Sequence, residues 1–252
     1  MAHPEQLQFV RAVSEHLSTD YAGKRVLEIG SYDVNGSIRP LFRGSSYIGV
    51  DLTEGPGVDL VCAGDAIDHP DASYDLTISC ECFEHNPRWR ETFLNMHRMT
   101  KPGGVVLFSC ATTGRLEHGT ARTLPKSSPG SQGVGWNYYR NLTERDFRSR
   151  LAMDQLFDGH FFLVDRTACD LYFVGSKKGG SGFHFDAQKL REQCRSEADE
   201  ILRKIRVRPR RPVLRAVALA PMRMAARLPD RLYQNFAFRY LKLLKWLRQK
   251  VS

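Results

Sequence analysis

The sequence predicts an α/β protein whose doubly wound, mostly parallel sheet has seven strands and is followed by a basic helical extension. Strand-like apolar runs alternate with helical stretches through the first 178 residues, which is the pattern of a parallel sheet covered on both faces. Apolar residues make up 42% of the chain and charged residues 26%, which is typical of a folded globular protein. The KKGGSG run at 177–182 has the composition of a linker. We therefore predict a domain at 1–178 and a tail at 179–252.

The elements of the domain follow in order. Apolar residues at helical spacing predict a first amphipathic helix, at Leu7, Val10, Val13 and Leu17. Strands are predicted at 25–29, 47–50, 60–62, 76–79, 105–110, 161–165 and 171–175, with a helix at 89–99 before the fifth strand. The Lys-Pro-Gly-Gly run at 101–104 predicts a turn, and Thr143 is the expected N-cap of a later helix.

Residues 111–141 are rich in glycine and proline and have few periodic apolar positions. A loop of this length inside a compact domain is usually functional or disordered, so we assign it to the substrate. Trp136, Tyr138 and Tyr139 add rings suited to stacking on a sugar or an aromatic acceptor. Packing of the loop onto the body is an equally good interpretation.

Charge is unevenly distributed along the chain. From Arg203 onward there are fifteen Lys or Arg residues and one acid, Asp230, which gives +14 and leaves the first 202 residues at −5, since the whole chain carries +9. The last helical pattern places apolar residues on one face and cations beside them: Leu232, Phe236, Tyr240, Leu243, Leu247 and Val251, with Arg239, Lys242, Lys245 and Lys250. This pattern favours an anionic membrane surface or a partner protein. Nucleic acid is a less favoured partner, because binding to it does not require the leucines. The structural alternative is that the apolar face packs back onto the body of the protein.

The six cysteines include no CxxC pair, so the sequence offers no cysteine zinc site. Several lie in apolar strand-like runs, and we interpret them as reduced thiols of a cytoplasmic protein. The sequence has no apolar run long enough to span a membrane. We expect a cytoplasmic protein that can lie on the inner face of the membrane.

Polar residues end three successive predicted strands. Glu28 and Gly30 end the first, Asp51 ends the second, and Asp65 follows the third. The carboxyl ends of parallel strands meet at the crevice where such sheets bind ligands. A carboxylate at the end of the second strand is suited to accept hydrogen bonds from both hydroxyls of a ribose.

At these residues, and at Tyr74-Asp75 and Lys101-Pro-Gly-Gly, the chain resembles the class I S-adenosylmethionine-dependent methyltransferases, which have a Rossmann-like fold. The resemblance implies that Glu28 and Gly30 face the amino acid part of the cofactor, Asp51 the ribose and Asp65 the adenine. The glycine motif departs from the family pattern, since Tyr32-Asp-Val-Asn-Gly36 replaces the later glycines. Ser31, Asp33 and Asn35 are expected to supply side-chain hydrogen bonds instead. The predicted cofactor-binding set also contains Leu52, Ala66 and Cys80.

Further candidate metal ligands follow the fourth strand, in the segment Ser79-Cys-Glu-Cys-Phe-Glu-His85. On a helix, Glu81, Glu84 and His85 would share one face. The spacing resembles the E-x-x-E-H metal triad of ubiquinone-type O-methyltransferases, which implies a divalent cation such as Mg²⁺. The alternative is an E-H pair without metal, in which the histidine caps or packs.

Attack by an oxygen nucleophile is helped by a base whose pKa lies near neutrality, and His85 and His118 are the candidate bases. The sequence thus predicts O-methylation of a hydroxyl on a saccharide or lipid-linked glycan. The alternatives are an RNA methyltransferase whose tail binds RNA, a small-molecule O-methyltransferase of the natural-product or quinone type, and a non-catalytic cofactor-binding module. A nicotinamide-dependent dehydrogenase would show a fuller glycine motif.

Overall fold

The computed structural model describes residues 3–18, 20–180, 182–183, 185–206 and 220–251. Seven strands form one sheet: β1 (Arg25–Ile29), β2 (Ser46–Asp51), β3 (Leu60–Val61), β4 (Tyr74–Cys80), β5 (Thr100–Ala111), β6 (Phe157–Asp165) and β7 (Asp170–Lys177). Their spatial order is β3-β2-β1-β4-β5-β7-β6. The strands from β3 to β5 pair in parallel, whereas β7 is antiparallel to β5 and β6. The predicted doubly wound, mostly parallel sheet is confirmed.

The chain order reverses between β1 and β4, which lie side by side although β2 and β3 separate them in sequence. In open α/β sheets, ligands bind at such a switch point, outside the carboxyl ends of the strands. Those ends are occupied here by Gly30, Asp51 and Glu81. The topology therefore brings together residues that lie up to fifty positions apart.

The helices are α1 (Pro4–Leu17), α2 (Trp89–Met99), α3 (Pro129–Gly133), α4 (Glu144–Arg148), α5 (Met153–Leu156), α6 (Ala187–Arg206) and a C-terminal helix, Asp230–Val251. Residues 220–225 are also helical. Thr143 caps α4 in a reciprocal capping box with Asp146, as the predicted N-cap requires. Among the described helices, none combines the length and the apolar character needed to cross a bilayer.

The sheet separates two hydrophobic clusters. One face is covered by α2, α4 and α5 and is rich in aromatic rings, with Phe93, Phe108 and Phe147 fully buried. The other face is covered by α1 and α6 and by a single 3-10 turn, Arg39–Phe42, which is the only helical element between β1 and β2. Gly30 is therefore followed by a loop and not by the N-terminus of an α-helix.

Residues 101–104 do not form the predicted turn before the strand. Strand β5 already begins at Thr100, and the run lies inside it as a bulge, where the pairing moves from Tyr74–Thr100 to Leu76–Val105. Gly103 has a φ of +71°, which explains the glycine. The Lys101 ammonium group meanwhile donates to Asp75 at 2.9 Å and holds this end of β5 beside β4.

The division of the chain at residue 178 remains a prediction, but the extension does not stand apart from the sheet. In α6, Leu190 and Cys194 are buried in the cluster that also contains α1. The C-terminal helix buries Tyr233, Gln234 and Ala237. The part of the predicted tail at 207–219 lies outside the described residues, as do the side chains of Lys250 and Val251.

Candidate active site

A crevice opens at the carboxyl ends of β1, β2 and β4. Its floor and walls come from the strand ends and from the segments that follow them: Ile29, Gly30, Tyr32, Val34, Asp51, Leu52, Gly64, Glu81, Cys82, His85 and Asn86. The long loop 111–141 forms the roof through Ser127–Ser131 and Trp136. The loop is thus ordered and contributes to the site.

Gly30 makes the turn out of β1. Its φ is +86°, and a Cβ at this position would lie 2.7 Å from the Cβ of Cys82. Both the backbone conformation and the space therefore require glycine. The amides of Gly30 and Ser31 both donate to the Val50 carbonyl, at 2.8 and 3.1 Å. The turn is thereby fixed against β2 and leaves the crevice open beside Asp51.

Asp51 is the best-supported member of the predicted cofactor set. Its Oδ2 accepts from the Tyr32 amide at 3.1 Å and its Oδ1 from the Leu52 amide at 2.7 Å. Each oxygen retains a second lone pair for a ligand hydroxyl. Burial raises the pKa of Asp51, and the two amides act in the opposite direction. A Cβ on Gly130 would collide with this carboxylate, so the roof closes directly above it.

Asp65 lies in a 3-10 turn, Gly64–Ala66, and does not line the crevice, although Gly64 does. Its Oδ2 accepts from the Arg88 guanidinium at 2.9 Å. Its buried Oδ1 has no hydrogen-bond partner among the described residues. Ala66 ends the same turn and is exposed. Asp65 therefore sits one residue from the crevice wall with one oxygen available.

The remaining predicted cofactor residues lie outside the crevice lining. Glu28 is buried on the other side of the strand end, where its Oε2 accepts from the Tyr47 hydroxyl at 2.8 Å. Burial raises the pKa of Glu28 to about 7. Ser31 is buried against Gly49, Asn35 is exposed on the loop, and Cys80 belongs to the apolar cluster around α1.

The predicted common helical face of Glu81, Glu84 and His85 is wrong. Glu81 has a φ of +50°, and only a 3-10 turn, Phe83–His85, follows it. The chain bends at Glu81, so its side chain turns away from the other two. Among the described residues, the possible ligand atoms fall into two groups: Glu84, His85 and His118, and separately His3, Glu81 and Asp170.

The Glu81 group is an ion-pair network at the carboxyl ends of β4 and β5, beside the first residue of β7. Glu81 Oε1 accepts from the Ser109 hydroxyl at 2.9 Å, and the His3 ring lies 2.7 Å from Asp170. The Arg115 guanidinium lies 3.7 Å from Glu81 and 3.2 Å from Asp170. Because Arg115 of the loop pairs with both acids and His3 pairs with Asp170, this group ties the segment around His3 and the loop to the sheet.

Glu84, His85, His118 and Tyr139 form a second group, which we call the histidine nest. The two imidazoles meet edge to face with ring centres 4.9 Å apart, and Tyr139 contacts both at 5.4 and 5.0 Å. The ligand atoms of the first three residues lie within 4.8 Å of one another. Both Glu84 oxygens, His85 Nδ1 and His118 Nε2 are buried without a hydrogen-bond partner among the described residues.

Electrostatics keep the histidine nest uncharged. Burial lowers the pKa of His85 well below its ordinary value, and the neighbouring His118 adds to this. Burial also lowers the pKa of His118, whose Nδ1 pairs with the Leu116 carbonyl at 3.0 Å. Burial and the charge of Glu81 raise the pKa of Glu84 well above its ordinary value. Burial therefore disfavours charge on all three side chains, and the two imidazoles present unpartnered nitrogen atoms beside the Glu84 carboxyl group.

A polar groove adjoins the histidine nest between the loop and the C-terminal helix. It is lined by Glu117, Thr120, Ala121, Arg122, Asn137, Tyr139, Arg231 and Asn235. Tyr139 belongs to both the groove and the nest. The loop side is held by hydrogen bonds from Thr120 to Glu117 at 2.6 Å and from the Ala121 amide to Asn137 at 2.8 Å.

The C-terminal helix holds the loop in place, which the sequence reading missed. The Tyr233 hydroxyl donates to the Gly114 carbonyl at 2.7 Å. The Gln234 amide group donates to the Arg115 carbonyl at 3.0 Å and accepts from the Glu117 amide at 2.9 Å. The sequence contains one signal for this contact: Gln234 is an amide side chain that lies between apolar positions of the helical pattern.

The chain was compared with known proteins. The profile of a methyltransferase-domain family matches residues 1–165. Ubiquinone biosynthesis O-methyltransferases of Pseudomonas syringae pv. tomato and Pseudomonas savastanoi pv. phaseolicola are each 31% identical over 153 residues. The match covers 54% of this chain and 61% of each relative. The chain thus matches less than two thirds of the length of these relatives.

Solved structures give weaker similarities. The YcgJ protein of Bacillus subtilis is similar with a TM-score of 0.48 and 14% identity, over 71% of this chain and all of that one. Phosphoethanolamine N-methyltransferase 2 of Haemonchus contortus, in complex with phosphomonomethylethanolamine and S-adenosylhomocysteine, has a TM-score of 0.48 and 16% identity. That similarity covers 68% of this chain and 52% of the other.

Proposed function

Because the chain belongs to the class I S-adenosylmethionine-dependent methyltransferases, we propose that it methylates a hydroxyl oxygen, with the histidine nest accepting the proton. The observation that carries this proposal is His85, an imidazole of lowered pKa that lines the crevice and whose buried Nδ1 has no hydrogen-bond partner among the described residues. A neutral imidazole is the form that can take a proton from a hydroxyl group.

The crevice fits the cofactor. Asp51 offers free lone pairs for the ribose hydroxyls, and Leu52, Val34 and Ile29 offer apolar surface for the adenine. Gly30 lines the crevice, where its backbone can be approached by a ligand. When bound, S-adenosylmethionine supplies an electrophilic methyl group on a sulfonium centre. Methyl transfer then needs mainly alignment of the acceptor oxygen, so positioning by the protein supplies much of the rate.

The loop covers the crevice, and the histidine nest provides the proton acceptor. Ser127–Ser131 and Trp136 close over the crevice and keep water from the transfer line. His118 holds its proton on Nδ1 through the Leu116 carbonyl, which leaves Nε2 as an acceptor facing His85 and Glu84. The acceptor hydroxyl would enter beside Tyr139, where the nest and the polar groove meet.

The polar groove supports a saccharide or lipid-linked glycan as the acceptor. Its side chains, Glu117, Arg122, Asn137 and Asn235 among them, combine donors and acceptors in the way that vicinal sugar hydroxyls need. The second candidate is a small ring hydroxyl. It is favoured by the related ubiquinone biosynthesis O-methyltransferases and by the aromatic surroundings of His85.

The nest also fits a divalent cation, which is our second proposal for it. Glu84, His85 and His118 would hold the ion, and two imidazoles with one carboxylate suit a transition metal better than Mg²⁺. Such an ion would lower the pKa of a bound hydroxyl group. Retention of activity after exhaustive EDTA treatment, with no metal in the purified protein, would rule this out and leave the imidazole as the base.

The test of the function is methyl transfer from labelled S-adenosylmethionine to a panel of free glycans, lipid-linked glycans, catechol-type rings and RNA. We expect label in a hydroxylated acceptor and expect His85→Asn to lower kcat at least about a hundredfold while the cofactor still binds in calorimetry. Labelled RNA with no labelled hydroxylated small molecule or glycan would contradict the proposal. A His85→Asn enzyme with normal kcat would exclude His85 as the base.

A further inference from the structure

The C-terminal helix has two faces with different surroundings. Its inner face is fixed by Tyr233 and Gln234 on the substrate loop, and Tyr233 and Ala237 pack with Met222 and Ala225 from residues 220–225. These contacts decide which side of the helix points outward. The direction in which the remaining surface of the helix points is therefore fixed by these contacts.

The opposite side, which we call the outer face, is apolar. It comprises Leu232, Phe236, Leu243 and Leu247, together with Leu228 just before the helix, each between 36% and 56% exposed. Trp246 lies at its border and is 54% exposed. Large apolar side chains that are contiguous and accessible mark an interaction surface rather than ordinary protein surface.

A band of cations runs beside the outer face. Arg231, Arg239, Lys242 and Lys245 are exposed, and none of the four forms an ion pair among the residues that the structure describes. Successive members are eight, three and three residues apart, so the band follows the helix axis and borders the apolar strip. The arrangement of a basic band, a tryptophan at the border and a leucine strip matches a helix that lies in a bilayer interface.

We propose that the outer face of the C-terminal helix binds the surface of an anionic bilayer, with its leucines in the acyl boundary and its cations at the headgroups. A second copy of the chain is a poorer occupant, because a symmetric contact would bring two cation bands together. A nucleic acid would contact the cations but leave the leucines in water.

The position of the polar groove extends the inference to the substrate. Arg231 and Asn235 belong to the C-terminal helix and line the groove, so a docked helix would hold the groove at the headgroup level. This step rests on the proposed function: the groove would receive an acceptor that is itself anchored in the bilayer. The binding surface does not depend on it.

Binding is tested with the full-length protein by co-sedimentation with vesicles of phosphatidylcholine, with and without phosphatidylglycerol. We expect binding to the anionic vesicles that weakens with salt. Each lysine near such a surface accounts for about a fivefold change in partition, so Lys242→Gln with Lys245→Gln should lose about 25-fold on anionic vesicles. Leu232→Ser with Leu243→Ser should lose at least about tenfold.

Matched controls lie on the body of the protein. Leu94→Ser removes a leucine that is 37% exposed on α2, and Lys189→Gln with Arg191→Gln removes two exposed cations from α6. Both controls should bind vesicles as the unsubstituted protein does. Circular dichroism and cofactor binding by calorimetry confirm that each variant is folded.

Three results would overturn the proposal. They are absence of binding to anionic vesicles, unchanged binding after loss of both leucines, and a dimer in light scattering that dissociates in the leucine variant. RNA binding that needs the two lysines but not the leucines would also refute it. Methylation of a water-soluble acceptor, measured without vesicles, tests the proposed function separately, so each idea can fail alone.

Discussion

Replacing Glu28 by glutamine should stabilise the protein above neutral pH and have little effect in acid. Burial raises the pKa of Glu28 from 4.5 to about 7, although the Tyr47 hydroxyl and Arg39 favour the charged form. The folded state therefore holds this proton more tightly than the unfolded chain does. The associated stability is fully present below pH 4.5 and is lost as the pH rises towards 7.

The size of the effect follows from the difference in pKa. A difference of about 2.5 units at 1.36 kcal/mol each corresponds to about 3 kcal/mol of stability lost between pH 4.5 and 7. Glutamine never ionises and can still accept from the Tyr47 hydroxyl. The gain in the free energy of unfolding of Glu28→Gln over the unsubstituted protein should thus grow with pH and level off at about 3 kcal/mol above pH 7. For a chain of this size that is about 6–12 °C in Tm.

Urea denaturation followed by circular dichroism, at pH 5 and pH 8 and constant ionic strength, measures this difference. Tyr47→Phe is the matched control, because loss of its hydroxyl removes a group that favours the charged carboxylate. In that variant the pKa of Glu28 should rise further and the loss of stability should extend to higher pH. A gain from Glu28→Gln that is the same at both pH values would refute the reasoning.

Three further outcomes are expected from the site. Asp51→Asn should weaken cofactor binding in calorimetry by about 10- to 100-fold, because it removes the charged acceptor of the ribose hydroxyls. The surface change Asp154→Asn should leave cofactor affinity unchanged. If Asp51→Asn bound the cofactor as tightly as the unsubstituted protein does, Asp51 would not belong to the site. Gly119→Ala should lower both Tm and kcat, because a Cβ there would lie 2.7 Å from His85 Cε1, while Gly135→Ala, with a similar positive φ but open space, should show only the backbone cost of about 1 kcal/mol. The pH dependence of kcat/KM should show no loss near pH 6.5, because the depressed pKa of His85 keeps the base neutral well below that value; an inflection at an ordinary histidine pKa would contradict the assignment.

The sheet could be predicted from the sequence because its signals are local. Each strand is an apolar run bounded by turn residues, and the helix at 89–99 was predicted with its observed bounds. Asp51 followed by the same logic, since a residue that ends a buried parallel strand must lie at the crevice edge. The error at 101–104 arose because a bulge and a turn use the same residue types.

The acceptor side could not be predicted in this way. Its parts meet only through tertiary contacts: His118 reaches His85 across 33 positions, and Gln234 binds Glu117 across 117. The predicted triad failed for a local reason that the pattern could not show. A positive φ at Glu81 replaces the assumed helix, and this rearranges the three ligands into two groups.

The unusual glycine motif has a structural explanation in the missing helix after β1. Where an α-helix follows the glycine turn, its N-terminal amides face the ligand, and later glycines let it pack closely on the sheet. In this chain α1 and α6 cover that face, so the loop needs no helix and no further packing glycines. Its polar residues serve the loop itself: Asp33 Oδ1 accepts from the Gly36 amide at 2.6 Å, and the Asp33 amide donates to the Pro56 carbonyl at 2.8 Å. In the proposed cofactor site, recognition would therefore rest mainly on Asp51 and the roof above it, which is why we expect this single carboxylate to carry so much of the affinity.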